Sequence, residues 1–184
     1  MASNYSTNLK IELIATGEQA GTWGGTTNTN LGTALEEAVV GYGNPNFTSD
    51  ADLTLTLTNS NATQVARNLV LNVTSSGSLT ATRNLVVPTI EKPYVVQNNT
   101  TGGQSIIVKT SGGSGVTVLN GASVYLYTDG TNVVPIANTF VTANWSVRQV
   151  GTDLDFIYNG TTVFSISSTG VITALSNVVS NGTP

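Results

Sequence analysis

From about residue 49 onward, short runs of β-branched and other apolar residues alternate with polar ones, and clusters of Gly, Asn, Ser and Asp separate the runs. A period of two predicts strands that are buried on one face only. "LTLTLT" at 53–58 is the cleanest case: Leu53, Leu55 and Leu57 line one face, and Thr54, Thr56 and Thr58 the other. "NLVLNV", "NLVVP", "PYVVQ", "SIIVKT", "GVTVL", "SVYLYT" and "NVVPI" predict further strands. "TDGTN" (128–132) and "YNGTT" (158–162) place Asp-Gly and Asn-Gly between strand-like flanks, where a two-residue hairpin needs positive φ. Pro88, Pro93 and Pro135 fall at predicted strand ends or edges, where the missing N–H costs least.

"ARNLVLN" (66–72) returns as "TRNLVVP" (82–88). The two copies are a coincidence of strand-favouring composition, a pair of similar strand environments, or adjacent coils of a small solenoid. A stacked array usually shows three or more repeats, so the body is a sandwich or is solenoid-like.

Residues 30–40 behave differently. Leu31, Leu35, Ala38 and Val39 follow the spacing of one helical face, Asn28 or Asn30 can cap the start, and Gly41 or Gly43 can end it. A helix of about three turns is marginal alone, so it must pack on something. "GYGNPNF" (41–47) breaks the pattern and predicts a linker. A softer break near 137–145 precedes a segment that reads as a compact four-strand meander. The expected organisation is therefore an N-terminal attachment segment with one helix (1–48), a β-rich body (49–140) and a C-terminal β-module (141–184).

Composition narrows the function. Only 9% of residues are charged, against roughly 25% in an ordinary soluble domain. The net charge is −4, and Lys10, Arg67, Arg83, Lys92, Lys109 and Arg148 are scattered singly, which leaves no basic stripe for nucleic acid. Cys and His are absent, which removes disulfides, thiolate metal sites and the commonest general base. The first residues lack the features of a signal peptide, and no apolar run reaches the ~18 residues of a membrane span. A soluble product made in the cytoplasm is expected.

Candidate chemistry is thin. Glu36 and Glu37 are adjacent on the helix and diverge by about 100°. Asp50 with Asp52, and Asp153 with Asp155, lie on one side of an extended chain, yet neither pair brings the further oxygens that calcium needs. "NNTTGGQ" and "TSGGSG" are followed by strand patterns instead of a helix with a clamp lysine, so they predict turns and no phosphate loop. No catalytic, cofactor or metal residue is expected. Aromatics are the recognition candidates: Tyr125 and Tyr127 share a strand face, and Tyr158 shares one with Leu154 and Phe156. Exposed, such rings would stack on sugars or on another chain; buried, they and Trp145 would form the core of a small module.

Many short strands with little charge present unpaired edges, which a symmetric oligomer would cover. The stretch "TGEQAGTWGGTTNTNLGTALEEAVVGYG" resembles tail-fibre and related appendage proteins of tailed bacteriophages, particularly marine ones, in which Gly-x-Trp-Gly precedes Asn-x-Asn-Leu and a short helix ending in Gly. Here the pattern is carried by Gly21, Trp23, Gly24, Asn28, Asn30, Leu31, Leu35 and Gly41. The central "YVVQNNTTGGQSIIVKTSGGSGVTVLNG" with "VYLYTDGTNVV" is similar to the β-rich segment that often follows. The resemblance implies a non-enzymatic virion protein, a homotrimer in a fibre-like assembly, that attaches to other tail, portal-proximal or capsid proteins through its N-terminal part. At 184 residues the chain is short for a receptor-reaching fibre, which points to a short fibre, a head fibre or decoration protein, or an adaptor. Trp23, Leu31, Leu35, Ala38 and Val39 are the expected docking or oligomer surface; Tyr125, Tyr127 and Tyr158 are the candidate contacts to a host surface glycan.

Overall fold

The computed structural model describes residues 3–136, 139–142 and 144–176. The chain is mostly β, with one helix near its N-terminus, and divides into two compact units, Met1–Ile136 and Ala137–Pro184. The helix therefore shares a unit with the β-rich body, and the second unit begins ahead of the expected residue 141.

The first unit is wound as a short β-solenoid. Among the described residues, each of three successive coils gives a strand to each of two sheets. Sheet A receives Tyr42–Gly43 with Asn46–Phe47, then Val70–Ser75, then Glu91–Asn98; sheet B receives Leu53–Thr54, Arg83–Val86 and Ile106–Lys109. All of these neighbours pair in parallel. The chain then reverses, and Gly115–Val118, Ser123–Asp129 and Val133–Pro135 close the C-terminal end with antiparallel pairs. Inward side chains of both sheets form a single core, including Phe47, Leu71, Val73, Leu85, Tyr94, Val96, Ile106, Val108 and Leu126. Strand Glu91–Asn98 alternates strictly between buried and partly exposed from Lys92 onward, as the period-two pattern requires.

Several local expectations change. "GYGNPNF" is no linker: it forms the first coil, and Phe47 is fully buried. Of "LTLTLT", only Leu53–Thr54 pairs as strand, with Leu55 donating one further bond to Val86 O. Pro93 lies inside a central strand instead of at an end. Its missing N–H is tolerated because pairing with the neighbouring parallel strand starts only at Val95, bonded to Leu69 O. The hairpin at 128–132 turns on Gly130, which alone in that turn has positive φ, while Asp129 caps Thr131 and Asn132 through its carboxylate. The hairpin at 158–162 has positive φ at both Asn159 and Gly160, the type its sequence predicts.

The "RNLV" repeat belongs to one coil and not to neighbouring coils. Its first copy enters sheet A and its second enters sheet B, so it marks two similar strand environments. In both copies the arginine reaches back to an earlier carboxylate. Arg67 pairs with Glu37 at 3.0 Å in the interior, and Arg83 pairs with Asp50 at 2.8 Å near the surface. Asn84 likewise binds Asp52 through its N–H and its amide. The Asp50 and Asp52 carboxylates are thus engaged by the next coil. Arg83 and the Thr80 hydroxyl hold Asp50 far below the usual carboxylate range. On the outside of sheet A, an amide ladder continues from coil to coil: Asn99 donates to Asn72, and Asn72 to Asn44.

One core position is electrically costly. Lys92 is 3% exposed and has no carboxylate partner among the described residues; its ammonium rests 4.5 Å from the Tyr94 ring and donates to Asn68 O and Pro93 O. Burial pushes the Lys92 pKa down to about 8. Below pH 8 the amine is protonated both folded and unfolded, so stability there is independent of its titration. Between about pH 8 and the unfolded value of 10.5 the unfolded chain binds more protons, and stability rises with pH. The gain is bounded by ~3 kcal/mol. Tyr94, whose pKa burial raises, opposes this only above pH 10. Urea midpoints should therefore increase from pH 7.5 to pH 9.5 in the native chain, and Lys92→Met should flatten the rise.

The second unit is an antiparallel meander of Thr139–Val141, Trp145–Val150, Asp153–Tyr158, Thr161–Ile166 and Ile172–Ala174. It has one strand more than its sequence pattern predicts, because Thr139–Val141 pairs with Ser146–Arg148.

Candidate docking surface

The N-terminal helix runs over residues 23–40 as Trp23–Thr29, a wider π-type turn at Asn30–Leu35, and Glu36–Val40. It starts seven residues before Asn30, through two glycines, which local propensity alone disfavours. Tertiary bonds supply the difference. A small hairpin, Asn4–Tyr5 with Glu12–Leu13, lies beside the helix. Asn30, which looks like a cap in sequence, sits mid-helix: its amide donates to Glu12 O at 2.8 Å and its Oδ1 accepts from Glu12 N–H at 3.2 Å. Gln19 donates to Glu12 Oε1 at 2.7 Å and accepts from the Thr26 hydroxyl.

The helix is fastened to the body by its polar and small residues. Ala34 is fully buried, and Glu37 is 9% exposed. Glu37 accepts from Arg67 and from the Gln64 N–H. Arg67 has no exposed surface and spends its remaining donors on carbonyls: Nε on Leu9 (2.9 Å), Nη1 on Ala62 (3.0 Å) and Nη2 on Ser60 (2.6 Å). This one guanidinium joins the N-terminal hairpin, the helix and the loop before the second coil. The helix then passes into the first strand at Gly41, where a Cβ would stand 2.5 Å from Glu37 Cα and 2.3 Å from Asn68 Oδ1, so only glycine fits.

The apolar side of the same helix is largely open to solvent. Trp23, Leu31, Leu35 and Val39 are 60%, 56%, 41% and 58% exposed. They recur every four residues with Thr27 between the first two, and Val40 extends the patch. A spacing of four overshoots the α-helical turn by about 40° each time; the wider π turn brings Leu31 and Leu35 back toward one stripe. Ala38, grouped with them by spacing, is half-buried on the body side.

The tyrosines divide between the units. Tyr125 is 47% exposed and Tyr127 half-buried on the outer face of sheet A, whereas Tyr158 stands in the second unit, 5.1 Å from the Trp145 ring. Trp145 is 47% exposed, so the expected core role is not met. Tyr42 escaped notice in the sequence because its stretch reads as a linker. Register places Tyr42, Val70, Val95 and Tyr125 in one row across sheet A, and the Tyr42 hydroxyl donates to Gln97 Oε1 at 3.1 Å. Among the described residues, no group of three or more His, Cys, Asp or Glu side chains gathers, and no helix is long and apolar enough to cross a membrane.

No protein-family model, curated protein or solved structure matches this chain.

Proposed function

We propose that this chain is a non-catalytic structural protein of a tailed-bacteriophage virion, a short fibre-like or decorating appendage on the tail or capsid, built by three copies. It docks on another virion protein through the outer face of its N-terminal helix. The observation that carries this reading is the stripe Trp23, Leu31, Leu35 and Val39, exposed along a helix that a buried ion pair holds rigidly to the body. A surface helix normally turns its apolar stripe inward; a helix anchored by its polar side and apolar outside is arranged to receive a partner. The Gly-x-Trp-Gly and Asn-x-Asn-Leu pattern of phage appendage proteins falls on the same segment. Trp23→Ala tests it: the variant folds as the native chain does and is depleted from purified particles. Incorporation at native level would refute the docking role.

A second reading, host-glycan contact, is favoured by the outer face of sheet A, where Tyr42 and Tyr125 are about half exposed beside the Asn44, Asn72 and Asn99 amides. Aromatic faces with adjacent amides suit the mixed surface of neutral sugars. Tyr125→Ala should abolish a glycan-array signal while particle incorporation is unchanged; an array silent for the native protein would dispose of this reading.

A further inference from the structure

Among its described residues the second unit shows no core of its own. Every residue of the buried core cluster belongs to the first unit, and among the described residues of 137–176 only Asp155 and Ile157 are buried. A single sheet is stable in water only when one face is covered by another layer. The meander has such a face. Register puts Trp145, Val147, Leu154, Phe156, Tyr158 and Phe164 on one side, with Phe156 and Phe164 edge to face at 5.3 Å. Arg148, Asp153 and Asp155 occupy the other side together with Val150 and Ile157, so the two buried residues lie opposite the aromatic face. The apolar side carries no charge, yet Trp145, Leu154 and Tyr158 remain 40–47% exposed.

We propose that this aromatic face is the seam between copies of the chain, where the neighbouring copies supply the covering layer that each meander lacks. Three observations select a second copy as the occupant. A partner needed for the unit's own fold must be present whenever the chain is made, which is the condition of an obligate homo-oligomer. With its charges confined to the opposite side, the face gathers with the same face of neighbouring copies without repulsion, although each copy carries a net charge of −4. The exposed apolar area, roughly 500 Å² for side chains that bury 150–250 Å² each when aromatic, is more than half of the ~800 Å² per partner in a standard interface. The proposal stands independently of the virion reading.

The chain has no cysteine, so single thiols report cleanly. Leu154 and Val150 are 41% and 44% exposed in the single chain but lie on opposite faces. Leu154→Cys and Val150→Cys, each in the full chain, are reacted with a maleimide while mass is followed by light scattering. Copies joined at the seam give a multiple of the monomer mass, and position 154 is labelled at least ~10-fold more slowly than position 150, with the difference lost on dilution to monomer. A monomer labelled equally at both positions overturns the proposal. So does a monomer protected at 154, which would mean that the face is covered within one chain, and so does an oligomer that labels both positions at the same rate, which would mean that copies join elsewhere. Leu154→Glu adds a second reading: it should convert the oligomer to monomer, whereas an unchanged mass contradicts the seam. None of these results depends on particle incorporation, so the seam and the virion role fail separately.

Discussion

Replacing Arg67 with Leu should lower the unfolding free energy of the first unit by about 3–5 kcal/mol, the usual cost of removing one member of a buried ion pair. Against a typical total of about 5–15 kcal/mol this approaches loss of the fold. The cost arises from what is left behind. Glu37 would remain 9% exposed with only the Gln64 N–H as partner, and the carbonyls of Leu9, Ser60 and Ala62 would lose their donor. Burial pulls the Arg67 pKa down, and the neighbouring Glu37 charge opposes that shift. Urea denaturation followed by circular dichroism measures the loss. The double change Arg67→Leu with Glu37→Leu should be milder than the single one, because no buried charge is then orphaned. Arg83→Leu, which removes the same type of pair at the surface, should change stability little. If Arg67→Leu proves as mild as Arg83→Leu, the account of how the helix is fastened is wrong.

The second large effect concerns binding and not folding. Leu31→Asp combined with Leu35→Asp should lower the unfolding free energy by only about 1 kcal/mol, mostly the helix-propensity cost, since Leu31 and Leu35 are 56% and 41% exposed. The same pair should reduce affinity for the particle by on the order of 100-fold or more, because apolar anchors at the centre of an interface are worth about 2 kcal/mol or more each. The comparison with Arg67→Leu separates the two sides of one helix: the polar side sets stability, and the apolar side sets attachment. Quantifying this chain in purified particles, with circular dichroism on the isolated variant, reads both. Normal incorporation of the double variant would contradict the docking role of the stripe.

Much of the architecture is legible in the sequence because strands buried on one face write a period of two, as at Val70–Ser75 and Glu91–Asn98. The winding is not. Val70 pairs with both Tyr42 and Val95, and Leu85 with both Leu53 and Val108, so successive coils differ in length and leave no fixed repeat. The one repeat that can be seen, "RNLV", lies within a coil and misdirects a search for a period. The first coil is hidden because its strands are two residues long and contain Gly43 and Asn46, which read as turn. Leu31, Leu35 and Val39 are legible as one helical face, but spacing alone cannot say that this face turns outward. That depends on Glu37 meeting Arg67, thirty residues away. Ala38, partly buried, departs from the exposed stripe for the same reason. The start of the helix at Trp23 is set by Gln19 and Asn30 holding Glu12, long-range bonds that propensity does not encode.

Cryo-electron microscopy of assembled particles containing this chain, at a resolution that shows residues 23–40, tests attachment most directly. The account predicts Trp23, Leu31, Leu35 and Val39 packed against another virion protein, with the β-solenoid projecting beyond them. Density in which that stripe faces solvent, while the chain is held to the particle by a different surface, would contradict it.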